Sequence, residues 1–172
     1  LSAASIRHQF STPENIRLSQ FGSHFLKNID TYLAINQESP AVNFKERGYL
    51  FLATAQGLDI LRSNHRTQRA ENVDASLLSP DELQERYPWL NVQDLSAGSL
   101  GNSGEGWLDS YALMQGLRKK AISLGVRYEQ ARVERLHRSG RKVNSAELSG
   151  GRVIQCGMVI NAAGTGATQL AQ

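Results

Sequence analysis

Seven residues near the carboxyl end, Met158-Val159-Ile160-Asn161-Ala162-Ala163-Gly164, constrain the fold more than any other stretch. Apolar side chains on successive positions, instead of alternating ones, are the pattern of a strand covered on both faces, as in parallel α/β sheets. The four small residues that follow would then lie beyond the carboxyl end of that strand. Open α/β sheets bind their ligands there, and a backbone without bulky side chains can approach a phosphate closely. A helix starting near Thr165 would aim its first amides at the same place, which favours an anion. A buried strand followed by a tight turn accounts for the same letters equally simply.

Upstream, helix and strand signals alternate. Ser11-Thr12-Pro13-Glu14 has the spacing of a capping box with proline at a position where a missing N–H costs nothing. The helix predicted from there carries Leu18, Phe21, Phe25, Ile29 and Leu33 as one apolar stripe facing a core to about Ile35, and Pro40 closes the segment. Gly48–Ala53 reads as a strand, and Gly57 to about Glu71 as a second helix. A second capping box, Ser79-Pro80-Asp81-Glu82, opens a short helix that must end before Pro88. Asp109 is placed to cap the next helix, with Leu113, Met114, Leu117, Ala121 and Leu124 as its stripe and Gly125 as its left-handed stop. Beyond Gly125 the texture becomes that of short strands over Val126–Gln130, Val133–His137, Val143–Leu148 and Val153–Cys156, with Gly150-Gly151 as a hairpin turn.

Several classes of function are disfavoured. The net charge of +3 comes from dispersed basic residues, whereas nucleic-acid binding needs a dense basic face. One cysteine, Cys156, provides neither an internal disulfide nor a cysteine-rich zinc site. No apolar run approaches the ~18 residues of a membrane-spanning helix. Gly98–Gly106 holds four glycines but not the Gly-Lys-Ser/Thr ending of a phosphate-gripping loop. His8, His24, His65 and His137 are scattered, none in a zinc-hydrolase spacing, and no Gly-x-Ser-x-Gly elbow supplies a nucleophile. The chain starts at Leu1 instead of methionine, and is expected to be an internal piece of a longer one.

The order of "GYLFLA", "PWLN", "GEGWLDSYAL", a helix ending in "LGV", and "VINAAG" resembles the D-amino-acid oxidase type of FAD-dependent oxidoreductases. The stretches "QFSTPENIRLSQFGSHFLKNIDTYLA" and "GLRKKAISLGV" resemble a mitochondrial branch of that family that assists assembly of respiratory complex I. The resemblance implies an α/β fold of mixed α+β character, in which a Rossmann-like FAD-binding domain is interleaved with a mixed-sheet substrate domain. Residues of about 1–38 and 110–172 would fall on the flavin side and about 40–109 on the substrate side. It implies FAD as cofactor, with the dinucleotide fingerprint lying upstream, and no metal.

Carried over residue by residue, the family's Ser-x-Gly-Gly-Ile segment beside the flavin falls on Ser2-Ala3-Ala4-Ser5-Ile6, which nominates Ser2, Ala4 and Ser5. The two glycines have become Ala4 and Ser5, and a side chain at a left-handed position there would cost of order 1 kcal/mol. The strand valine whose backbone meets the adenine is matched by Val133, and the cofactor-lining small residues by Asn161, Ala162, Ala163 and Gly164. Close to that flavin segment, Arg7 and His8 are the titratable residues to test, Arg7 because its planar fork suits a substrate carboxylate, and no catalytic residue is assigned. The implied partners are complex I subunits or assembly intermediates and a small amine substrate, in the mitochondrial matrix or at the inner membrane. Three functions stay open: a complex I assembly protein with an oxidoreductase fold, an active amine or amino-acid oxidase or dehydrogenase of the sarcosine or glycine oxidase kind, and a non-catalytic partner-binding flavoprotein fold. The isolated chain is expected to be inactive.

Overall fold

Helix caps and glycine turns set most element boundaries. The structure is a computed structural model that describes residues 3–170. The chain divides into two units, one running to Val126 and the other starting at Arg127.

The first unit contains β1 (Ser5–Ile6), α1 (Pro13–Lys27), α2 (Ile29–Leu33), β2 (Lys45–Glu46), β3 (Leu50–Ala53), α3 (Leu58–Ala70), β4 (Ala75–Leu78), α4 (Pro80–Arg86), β5 (Ala97–Gly101), β6 (Gly106–Trp107) and α5 (Ser110–Ser123). Two antiparallel sheets form, in the orders β3-β5-β4 and β1-β6-β2. The central strand β5 is buried along its whole length. Its composition, Ala97-Gly98-Ser99-Leu100-Gly101, explains how: a Cβ at Gly98 would come within 2.9 Å of Leu83 on α4, so the glycine lets that helix press onto the sheet. Ile16, Val73 and Ala75 make one core cluster with Phe10, and Leu26, Val42 and Leu108 another with Ile6, Ile29, Phe44 and Leu113.

The caps behave unequally. Ser79 and Glu82 close a reciprocal capping box on α4, Asp109 accepts from the Ala112 N–H at 2.9 Å to start α5, and Gly125 turns left-handed at φ +90°. The first capping box does not form. Helix α1 is capped by Thr12 without a side-chain bond, and this shift by one residue puts Asn15 in place of Glu14 at the third helical position, where the box needs its acid. The long first helix also breaks at Asn28, whose side-chain amide and backbone N–H both donate to the His24 carbonyl. Its buried face is Ile16, Ser23 and Leu26, while Leu18 and Phe21 stand in solvent. The expected stripe on α5 is likewise turned outward at Met114, Leu117 and Leu124. Apolar spacing marks a face of each helix, but polar contacts of Ser19 and Ser23 decide which face of α1 docks: Ser19 Oγ donates to the Arg7 carbonyl, and Ser23 Oγ meets His8 Nε2 at 2.8 Å.

The second unit contains β7 (Val133–Ser139), β8 (Lys142–Leu148), β9 (Val153–Gln155) and α6 (Ala167–Leu170). It is an antiparallel meander in the order β7-β8-β9, turned at Gly140 (φ +58°) and at Gly150-Gly151 (φ +88° and +80°). The strand expected over Val126–Gln130 is not formed. Nor is the one over Met158–Asn161, where Met158 and Ile160 are 80% and 83% exposed. A strand meant to be covered on both faces needs paired neighbours and packed layers, and the described residues of this unit offer Met158–Asn161 no ladder. The helix expected from Thr165 begins as a 3₁₀ turn at Gly164–Gly166 and continues as α6 to Leu170, the last described residue. Among the described residues no helix is long and apolar enough to cross a membrane.

Candidate functional site

The glycine-rich stretch before α5 surrounds an acid. Glu105 is 0% exposed. Its Oε1 accepts the His8 and Gln9 backbone N–H groups at 2.6 and 3.0 Å, and its Oε2 accepts Gln9 Nε2 at 2.9 Å and the Tyr49 N–H at 3.1 Å. Its own carbonyl accepts the N–H groups of Arg47 and Gly48. The glycines make room for this hub. A Cβ at Gly101 would lie 1.8 Å from Glu105 Oε2, and one at Gly104, where φ is +75°, would lie 2.2 Å from the His8 ring. So Gly98–Gly106 is a clearance zone for a buried carboxyl group, which is why it lacks the ending of a phosphate loop.

The hub positions the three residues after β1. Gln9 is fully engaged: its Oε1 accepts from Ser99 Oγ at 2.7 Å and its Nε2 also donates to the Tyr49 carbonyl at 3.0 Å. His8 is buried, with Nε2 on Ser23 Oγ and its ring against Gly104, so it belongs to the packing. Burial holds its pKa below the ordinary 6.5, outweighing Glu105, which pulls it up, and Lys27 adds to the lowering. Arg7 differs. Its guanidinium lies 4.6 Å from the Phe10 ring centre and 5.3 Å from that of Phe51, and it forms no ion pair among the described residues. It faces a cavity of 230 Å³ that is also lined by Phe51 and by Asn64 and Gln68 of α3.

The nominated cofactor residues are placed as follows. Ser2 lies outside the described residues. Ala4 has φ +54°, the left-handed conformation that a glycine would adopt without its Cβ penalty, and its carbonyl accepts the Leu108 N–H at 2.9 Å. Ser5 sits in β1 opposite Trp107 in extended conformation, so a side chain there costs nothing. In the second unit, Val133 at the start of β7 and Ala163 line one cavity of 740 Å³, together with Ala131, Arg132 and Gly166. Asn161 shapes the small-residue segment: its Oδ1 accepts the Ala163 N–H at 3.2 Å and its Nδ2 donates to the Ala167 carbonyl at 2.9 Å. Ala162 is exposed, and Gly164 has φ +56°. The structure thus brings Val133 and Ala163 to one cavity, whose wall also carries the Arg132 and Glu134 side chains of opposite charge and Gln169 and Leu170 of α6.

These features describe a mixed α/β oxidoreductase fold. The family model for FAD dependent oxidoreductases matches residues 2–172, and the chain belongs to that family. It is 37% identical over its full length to FAD-dependent oxidoreductase domain-containing protein 1 of Bos taurus and 35% identical over 99% of its length to that of Mus musculus, and it spans 39% of each relative. Among solved structures it is similar to L-proline dehydrogenase from P. horikoshii, with a TM-score of 0.81 and 23% identity over 98% of this chain and 43% of that one. It is also similar to glycine oxidase from Geobacillus kaustophilus, with a TM-score of 0.76 and 20% identity over 99% of this chain and 46% of that one.

Sequence reasoning missed Glu105 and Gln9, although a lone acid inside a run of glycines is a signal of a crowded backbone around a buried group. Replacing Glu105 by Gln sets an N–H₂ against donors and leaves at least one N–H unmet, and is expected to cost ~1–3 kcal/mol of stability, read from the urea midpoint. A variant as stable as the parent would remove the hub from the account. The His8 shift has a definite sign: above pH 6.5 the ring is neutral folded or unfolded, and below it the unfolded chain binds the proton more readily. Stability should therefore fall as pH drops below 6.5, before the carboxylates titrate, and His8→Gln should flatten that slope in part, since His65 is lowered too by burial. An unchanged slope in His8→Gln would contradict this.

Proposed function

We propose that this chain is part of a FAD-dependent oxidoreductase-like protein that serves the assembly of respiratory complex I in mitochondria and retains a site for a small amine or amino acid. The observation that carries the flavoprotein part is the meeting of Val133 and Ala163 at one cavity, inside a chain matched by the family model over residues 2–172. The assembly role and the mitochondrial location are supported by the motif order "QFSTPENIRLSQFGSHFLKNIDTYLA" and "GLRKKAISLGV". Residues of about 1–38 and 110–172 are assigned to the flavin side and about 40–109 to the substrate side.

In this reading the backbone of Val133 and of Asn161–Gly164 holds the adenine end of the cofactor, and Asn161 fixes the turn that presents it. In the first unit, taken by itself, the left-handed backbone of Ala4 supports carrying the family's flavin segment over to Ala4 and Ser5. FAD, when bound, supplies the redox step by accepting a hydride equivalent from the carbon next to a substrate nitrogen. Arg7 anchors a substrate carboxylate: its planar fork suits the two oxygens, and the rings of Phe10 and Phe51 hold it in place. Buried Gln9 and Glu105 fix the backbone on which Arg7 stands.

The free cation of Arg7 favours a retained small-molecule site over a purely structural flavoprotein fold. The full-length protein should purify with flavin absorbance that small amines or amino acids bleach under anaerobic conditions, and its deletion should lower the amount of assembled complex I. Absence of flavin even after incubation with FAD would sink the oxidoreductase reading and leave partner binding as the leading account. Normal complex I levels in the deletion would sink the assembly role.

A further inference from the structure

The second unit carries more positive charge than its own acids can meet. Arg127–Gln172 holds seven Lys and Arg residues against three Glu, whereas the rest of the chain is close to balance, with twelve basic residues against thirteen acidic ones. Two of the three acids are engaged, Glu129 with Arg152 at 2.7 Å and Glu147 with His137 at 2.9 Å. The third, Glu134, lies near the start of β7, at the far end of that strand from the β7–β8 turn. At the turn itself stand Arg138, Arg141 and Lys142, all exposed, and none of them forms an ion pair among the described residues. Arg135 does not belong with them, because it sits opposite Glu147 in the ladder.

The backbone leaves this group of charges little slack. Ser139 pairs with Lys142, so Gly140 and Arg141 alone make the turn, and Gly140 supplies its positive φ of +58°. The ladder shifts register between His137 and Arg138, an irregularity of the kind that twists a strand and re-aims its side chains. A Cβ at Gly140 would meet no atom within 4 Å among the described residues, so the tip stands clear of them. Three like charges held together repel one another, and an incoming anion relieves that repulsion. Three cations fall short of the about four to eight with which polybasic segments engage a membrane surface. Residues 138–142 also carry no aromatic side chain on which a nucleic-acid base could stack. Two of the three are arginines, whose planar forks pair with both oxygens of a carboxylate. We propose that the tip of the β7–β8 hairpin docks an acidic, Asp- and Glu-rich segment of a protein partner, held by Arg138, Arg141 and Lys142. The tip uses neither the flavin nor Arg7, so its failure and theirs are separable.

Fluorescence anisotropy of a labelled octaglutamate peptide, titrated with the full-length protein, tests the proposal. Phosphatidylcholine vesicles containing phosphatidylserine and a single-stranded oligothymidine serve as the other anions. The peptide is expected to bind at an ionic strength of about 0.01 M and to weaken several-fold at about 0.15 M, because exposed charges are screened. Replacing the cations together, Arg138→Gln with Arg141→Gln and Lys142→Gln, should weaken the peptide on the order of ten-fold. Lys119→Gln, in the basic cluster of α5, should leave it unchanged. Ser139→Glu keeps all three cations and sets an acid among them; it should weaken binding in the same direction, and it decides the question should the triple variant fail to fold. No binding of the peptide, or binding that the hairpin variants leave unchanged, would overturn the proposal. Vesicle or oligothymidine binding tighter than that of the peptide, and lost in the same variants, would overturn the choice of partner in favour of a lipid or nucleic-acid surface.

Discussion

A carboxyl group sealed away from water settles where the amino-terminal segment of this chain runs. Burying Glu105 is affordable only if its lone pairs are met, and four N–H donors from His8, Gln9 and Tyr49 meet them. The donors lie 97, 96 and 56 residues away along the chain, so the bonds close only when the residue-8–9 segment, the start of β3 and the turn before β6 are together. Much else follows from that junction. The glycines at 101 and 104 exist to clear it, β1 pairs with β6 beside it, and Arg7 is held next to the cavity with its charge unspent.

Two sets of small residues serve opposite physical ends in this protein. In Gly98–Gly106 the missing side chains allow the protein to touch itself: Leu83 against Gly98, Glu105 against Gly101, His8 against Gly104. At Gly164, among the described residues, a Cβ would meet no atom within 4 Å. Instead Asn161 bends the segment, and Ala163 joins Val133 at an open cavity. Space filled by the chain itself reads as packing, and space left by it reads as room for a ligand. The proposed nucleotide position is therefore beside Val133 and Ala163 and not on the richer glycine run, whose clearance Glu105, His8 and Leu83 take up.

The elements legible in the sequence were those fixed by local chemistry. The capping box at Ser79, the Asp109 cap, the Gly125 stop and the Gly150-Gly151 turn each depend on a few neighbouring residues, and each is present. What could not be read locally was the choice of docking face on α1, which Ser19 and Ser23 settle through contacts with residues 7 and 8, and the inward turn of Glu105. The apolar run Met158–Ile160 was legible as a strand needing cover on both faces, but no such cover comes from the described part of its own unit, and it forms no strand and leaves Met158 and Ile160 exposed. Of the nominated residues, Val133 and Ala163 line one cavity, a convergence that no local pattern in the sequence announces because the two lie 30 residues apart.

A crystal structure of the full-length protein with FAD would test the central assignment most directly. The account predicts the adenine against the Val133 backbone, in the cavity that Ala163 and Gly166 leave open, with Gly98–Gly106 wrapped around Glu105 and free of phosphate. A pyrophosphate bound on Gly98–Gly106, or a Val133–Ala163 cavity closed by protein while the cofactor lies elsewhere, would contradict it.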